Sequence, residues 1–141
     1  MTTNVLCDSN IIINLFKKDK NTEDKIYEII EKNGKIFISS ISRFEIFKGW
    51  YVPESQKNLE RQTKLLHLIG KLKIQDVAFD SNVAGYCSNI FCIMKENGIR
   101  KIDEGREYDF LIAVTACYYG YQFLTENKKD FIDMPFVEFF E

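Results

Sequence analysis

Apolar and polar positions run along this chain in blocks, and the period changes from one block to the next. Val5-Leu6-Cys7 is a short continuous apolar run that stops at Asp8-Ser9-Asn10, and Ile11-Ile12-Ile13 with Leu15 and Phe16 follows at once. Such a run predicts a buried strand ending at a carboxylate, then a turn straight into a helix over Ile11 to Phe16. Ser9 and Asn10 suit that turn, because their side chains accept hydrogen bonds from the first free helical N–H groups. Thr22 is placed to cap a second helix whose Ile26, Ile29 and Ile30 share a face, and Asn33-Gly34 stops it. Lys35 to Ile38 predicts a second strand. Ser42 opens a helix carrying Phe44, Glu45, Ile46, Phe47 and Trp50, Pro53 breaks the chain, and Glu54 to Ile69 forms a longer helix stopped by Gly70. Lys73 to Phe79 predicts a third strand, Asp80-Ser81-Asn82 caps a helix reaching Lys95, and Ile99 to Glu107 is a charged loop. Tyr108 to Tyr119 is helical and strongly apolar, Gln122 to Leu124 a fourth strand, Asn127 to Phe131 a turn, and Phe136 to Phe140 a last strand at an edge.

Strands alternating with helices predict an α/β domain spanning residues 1–141, with a mostly parallel central sheet of about five strands and helices on both faces. Hydrophobic residues make up 45% of the 141, enough for one well-buried core and too many for a disordered chain. No apolar run is long enough to cross a bilayer, and no basic segment followed by an apolar core opens the sequence, so a cytoplasmic protein is expected. Cys7, Cys87, Cys92 and Cys117 form neither a metal-binding spacing nor a dense disulfide framework, and three of them sit in apolar stretches, which points to free thiols. The helices around residues 43–69 hold more apolar positions than one sheet face needs, Phe47, Trp50 and Leu66 among them, and this suggests a homodimer surface.

The net charge of −2 gives no global attraction to nucleic acid, so any such binding must come from local clusters such as Lys17/Lys18/Lys20, Lys71/Lys73, Arg100/Lys101/Arg106 or Lys128/Lys129. The acids carry more. Asp8, Glu45, Asp109 and Asp130 recur at the starts or ends of elements, and each has an ordinary structural explanation. Asp8 suits a turn, Ser42-Arg43-Phe44-Glu45 fits a capping box, Asp109 suits a helix start, and Asn127 with Asp130 suits the cap of a turn. Jointly they point elsewhere, because a doubly wound parallel sheet brings its strand C-termini to one edge, where these carboxylates can converge. Clustered like charges are costly unless a cation sits among them, and a hard divalent ion with oxygen ligands suits such a site. An ion of that kind can activate water for attack on a phosphodiester. The single histidine, His67, lies in a helix among leucines with no catalytic partner in view.

With those residues in hand, the chain resembles PIN-domain proteins, most of all the VapC-type toxin ribonucleases of toxin–antitoxin pairs. The resemblance runs through Leu6-Cys7-Asp8-Ser9-Asn10-Ile11-Ile12, Ser42-Arg43-Phe44-Glu45-Ile46-Phe47-Lys48-Gly49, Asp109-Phe110-Leu111-Ile112-Ala113-Val114-Thr115-Ala116 and Leu124-Thr125-Glu126-Asn127-Lys128-Lys129-Asp130-Phe131, in the right order over essentially the whole length. It implies a Mg²⁺- or Mn²⁺-dependent endoribonuclease in which Asp8, Glu45 and Asp109 bind the metal and Asp130 completes the acidic pocket. It also implies supporting roles for Ser9, Asn10, Thr125 and Asn127, an RNA substrate, a homodimer, and a small antitoxin partner covering the acidic groove. Two features depart from the family pattern: the segment before Asp109 is long and charged, and Phe110 is bulky for its place.

Two other readings fit parts of the sequence. An Asp-nucleophile phosphotransferase would also end its first strand on Asp8, but it needs a second acid two residues on, where Asn10 stands. A non-catalytic binding module could keep the fold, and metal titration separates it from a nuclease.

Overall fold

In the computed structural model, described over residues 2–99 and 106–141, four strands and six helices follow one another in the order the polarity pattern predicts. Strand β1 covers Asn4–Cys7, followed by α1 (Ser9–Phe16), α2 (Lys20–Glu31), β2 (Lys35–Ser39), α3 (Ser40–Trp50) and α4 (Lys57–Lys71). Then come β3 (Gln75–Val77), α5 (Ser81–Glu96), α6 (Glu107–Tyr119) and β4 (Gln122–Leu124), and a 3₁₀ turn spans Lys128–Phe131.

The sheet is parallel throughout, in the order β3-β2-β1-β4. It has four strands where about five were expected. The predicted strand over Phe136 to Phe140 is reduced to one parallel bridge between Phe123 and Phe139, on the open edge of β4. There the Phe123 N–H donates to the Glu138 carbonyl, and the Phe140 N–H donates to the Phe123 carbonyl. Pro135 lacks an N–H, and the preceding chain turns tightly at Met134, so only this short stretch lies alongside β4.

Both faces of the sheet are covered, because strand side chains alternate. Val5, Cys7, Ile36, Ile38 and Leu124 point to one face, where α1 to α4 bury Ile11, Ile12, Ile26, Ile46 and Leu65 over them. Leu6, Phe37, Val77 and Phe123 point to the other, against Val83 and Cys87 of α5 and Phe110, Ala113 and Val114 of α6. The predicted surplus on α3 and α4 divides accordingly. Phe47 and Trp50 pack onto the core, Trp50 with its ring centroid 4.7 Å from that of Phe16, whereas Phe44 and Leu66 are exposed.

Several caps differ from those read in the sequence, each for a local reason. Asp19, not Thr22, caps α2, its carboxylate accepting from both the N–H and the hydroxyl of Thr22. Ser39 caps α3 one turn before the expected start, because its hydroxyl accepts the Ile41 N–H. Helix α4 runs past Gly70 to Lys71, and the chain turns at Lys73 with φ 56°. Gly120 does end α6, in the left-handed region at φ 73° where a side chain is strained. No described helix is long and apolar enough to cross a membrane, and the expected loop over Ile99 to Glu107 lies largely outside the described residues.

Candidate active site

Strand order places the site. Starting from β1, the chain winds to β2 and β3 on one side and reaches β4 on the other, so β1 and β4 flank the point where the winding reverses. In open parallel sheets the crevice beyond the strand C-termini at such a point is where ligands sit. Asp8 follows β1 there and Thr125 follows β4.

Asp8 is 3% exposed and fixed from three directions. Its N–H extends the ladder to the Leu124 carbonyl at 2.9 Å. Its Oδ1 accepts the Ser9 N–H at 2.7 Å, and its Oδ2 accepts the Thr125 hydroxyl at 2.8 Å. Asp8 is therefore the cap of α1, and the capping role expected of Ser9 and Asn10 falls to it. The Thr125 hydroxyl also accepts the Asn127 N–H at 3.1 Å. With that bond filling a lone pair, its one proton is directed at Asp8. Burial pushes the Asp8 carboxyl up to about 6. The Thr125 bond opposes that rise, Asp109 adds to it, the Ser9 bond opposes it, and Glu45 adds to it. A carboxylate pushed this way in a cleft is a mark of a functional site.

The ordinary explanation fails for Glu45, whereas Asp109 does lie at a helix start and Asn127 at the cap position of a turn. Glu45 lies well inside α3, whose cap is Ser39, so there is no capping box from Ser42. Asp109 lies in the first turn of α6, whose cap position is Arg106 with no side-chain cap bond. Asp109 is half-buried and its pKa is raised, first by burial and then by Glu45. Arg106 pulls it back down, and Asp130 adds a further rise. Asp8, Glu45, Asp109 and Asp130 thus act within one electrostatic neighbourhood. Asp130 sits in the 3₁₀ turn with Asn127 at its cap position, and no side-chain bond from Asn127 closes that turn. Ser9 is buried beside Asp8, whereas Asn10 is exposed on α1 with no side-chain partner among the described residues.

Among the described residues, no three His, Cys, Asp or Glu side chains are gathered closely enough to ligate one ion directly. The candidate ligands are nonetheless all hard oxygens, and the buried hydroxyls of Ser9 and Ser42 have no hydrogen-bond partner among the described residues. That chemistry fits Mg²⁺ or Mn²⁺, because Mg²⁺ keeps several of its waters and needs only one or two protein carboxylates.

Two features, Glu126 and Lys25, were not singled out in the sequence, and Arg106 was named there only as one of a basic cluster. Arg106 places its Nε 3.8 Å from Asp109 Oδ2, donates from Nη2 to the Asp130 carbonyl, and lies over the Phe131 ring. Its spacing of three residues before Asp109 on a helix was the available signal. Glu126 accepts from Asn14 Nδ2 at 2.8 Å and lies 3.2 Å from the Thr22 hydroxyl oxygen, whose proton points to Asp19, setting the Thr125 turn against α1 and α2. No local pattern announces these contacts, which join positions far apart in the chain. Lys25 also escaped notice as an isolated lysine on α2.

Residues 5–137 match the sequence profile of the PIN domain. Among solved structures, the chain is similar to VapBC2 from Rickettsia felis, determined bound to a DNA fragment from its promoter, with a TM-score of 0.78, 24% identity and 98% of each chain covered. It is also similar to DNA-bound VapBC from Salmonella typhimurium (TM-score 0.75, 22% identity, 99% of this chain and 98% of that one). VapBC-1 from nontypeable Haemophilus influenzae gives a TM-score of 0.74 at 21% identity, with the same coverage. No curated protein sequence matches the chain. These structural likenesses concern the fold, while the profile spans nearly the whole sequence, and by that measure this chain belongs to the PIN domain family.

Proposed function

We propose that the chain is a Mg²⁺- or Mn²⁺-dependent endoribonuclease and the toxin of a type II toxin–antitoxin pair. The observation that carries this reading is the buried Asp8, pinned by Thr125 and Ser9 at the switch point of a parallel sheet within the field of Asp109 and Glu45. The PIN family match and the likeness to VapBC structures support it.

Asp8, Glu45 and Asp109 would hold the ion, some of them through water, with Asp130 closing the pocket. A divalent ion held there supplies an activated water and neutralises charge building on the phosphate oxygens. The chain's own groups do the positioning. Thr125 and Ser9 fix the Asp8 carboxylate before substrate arrives, so no reorganisation is needed at the moment of reaction. Arg106 ties the start of α6 to the 3₁₀ turn, holding Asp109 and Asp130 on adjoining walls. Asn10 and Asn127 would orient substrate by hydrogen bonds.

The antitoxin would be a short, partly disordered protein that covers the acidic groove and inserts a cationic side chain, since Arg pairs bidentately with carboxylates. A homodimer through the exposed apolar side chains of α3 and α4 completes the proposed assembly. The activity is tested by incubating purified protein with RNA. Cleavage is expected with Mg²⁺ or Mn²⁺ and none with excess chelator, and cleavage that persists in chelator rejects the mechanism. Harmless overexpression of intact protein without its partner rejects the toxin assignment.

A further inference from the structure

Beside Thr125 opens a cleft of about 810 Å³ that the chemistry above does not use. One wall is formed by Asn21, Asp24 and Lys25 of α2, the other by Thr125, Lys128 and Lys129, with Glu126 between them. Asp24 pairs with Lys20 at 3.0 Å, and the Glu126 carboxylate is turned toward Asn14, whose Nδ2 donates to it at 2.8 Å, while it keeps its charge. Lys128 pairs with Glu141 at 2.8 Å. Lys25 of α2 and Lys129 of the 3₁₀ turn both line the cleft and are exposed, with no ion pair among the described residues. The cleft adjoins the acidic site, because Thr125 lines the one and donates to Asp8 in the other.

An occupant of such a cleft carries spaced negative charge and presents its bond at the acidic end. A phosphodiester strand meets both conditions. The volume lies in the range of about 300–1,000 Å³ usual for ligand sites, which admits part of a single strand and not a duplex. We propose that this cleft is the track for single-stranded RNA, with Lys25 and Lys129 neutralising the phosphates that flank the scissile one and Asn21 free to hydrogen-bond a base or ribose. The proposal rests on the ribonuclease reading and deepens it. It assigns Lys25 and Lys129 to substrate positioning, outside the chemistry itself.

The test uses full-length protein carrying Asp8→Asn, so that RNA is bound and not cut, with a fluorescent oligouridylate as the probe. Its affinity is measured by anisotropy over a KCl series. For single strands the logarithm of affinity falls with the logarithm of salt at a slope of about −0.7 per phosphate neutralised. Adding Lys25→Gln and Lys129→Gln together is expected to flatten that slope by about 1.4 and weaken binding by about tenfold near physiological salt, with arginine at both positions restoring it. Lys71→Gln, in a different cavity, is expected to change neither value. An unchanged slope and affinity in the double variant, with circular dichroism showing it folded, overturns the proposal. So does tight binding of poly-glutamate with no binding of oligouridylate, which would make the cleft a seat for an acidic protein segment. Because binding is read without cleavage, lysine-dependent binding by a parent protein that cuts no RNA would reject the nuclease reading and leave the track standing.

Discussion

The Thr125 hydroxyl donates a 2.8 Å hydrogen bond to Asp8 Oδ2, joining the C-terminal ends of two adjacent parallel strands whose residues lie 117 positions apart in sequence. This bond holds the carboxylate in place and opposes the rise in its pKa. Thr125→Val keeps the shape and removes the hydroxyl. Cleavage is expected to fall about 10- to 100-fold, the usual effect of losing a group that orients a metal-site ligand. The acid limb of the pH profile should move upward, because the protonated carboxyl is no longer opposed by that bond. Thr125→Ser should restore most of both. A valine variant with parental kcat and pH profile would make the bond a packing detail.

The raised Asp8 carboxyl has a stability consequence in metal-free protein. Its folded value of about 6 lies above its ordinary 3.8, so the folded chain binds the proton more tightly than the unfolded one. The resulting stabilisation is full below pH 3.8 and is lost as the pH rises through about 6. At pH 7 the ionised group therefore costs the folded state about 3 kcal/mol. Asp8→Asn removes that charge and gives up one of two accepted hydrogen bonds, a loss of about 1 kcal/mol. In chelator the variant is expected to melt several degrees higher than the parent at pH 7.5. The advantage should vanish or reverse near pH 4. Equal melting temperatures at pH 7.5 would mean that burying the ionised Asp8 costs the fold nothing.

Arg106 pulls the Asp109 pKa down against the effects of burial, Glu45 and Asp130. Arg106→Gln is expected to raise it, moving the acid limb of the pH–rate profile to higher pH at fixed metal concentration. Arg106→Lys keeps the charge but loses the fork that reaches Asp109 and the Asp130 carbonyl together, so it should restore only part of the shift. An unmoved profile would show that Arg106 does not act on Asp109.

Phe44 is 54% exposed on α3 and Leu66 is 49% exposed on α4. If these helices form the homodimer, Phe44→Glu with Leu66→Glu should convert a dimer into a monomer by light scattering while leaving the melting profile cooperative. A parent protein that is already monomeric at micromolar concentration rejects the dimer.

How much of this was legible in the sequence depended on whether the signal was local. The strand at Val5 to Cys7, the helix after it and the alternation of elements were readable, because burial on both sheet faces demands continuous apolar runs. The PIN family could be named from four short motifs because each is a local run of sequence that carries one of the four acids. The fifth strand was not readable as a bridge. Phe136 to Phe140 carries strand-like residues, but how many of them pair depends on how Met134 and Pro135 turn the chain. Caps were misread where two candidates lay close together, as with Ser39 against Ser42 and Asp19 against Thr22, since only geometry decides which oxygen reaches a free N–H. The four acids could be listed from the sequence because each lies in a short motif, but the contacts of Asp8 with Thr125 and of Asp109 with Arg106 follow from strand order and helix phase, which no single stretch encodes.

The measurement that bears most directly on the account is the single-turnover rate of RNA cleavage by parent, Asp8→Asn and Asp109→Asn proteins, purified identically, shown folded, and assayed with Mg²⁺ or Mn²⁺ and then with excess chelator. The account predicts cleavage by the parent that stops in chelator and returns with metal, and a loss of about 100-fold or more in each variant, as when a group stabilising developing charge is removed. Cleavage by folded Asp8→Asn protein at the parental rate, or parental cleavage that continues in chelator, would contradict it.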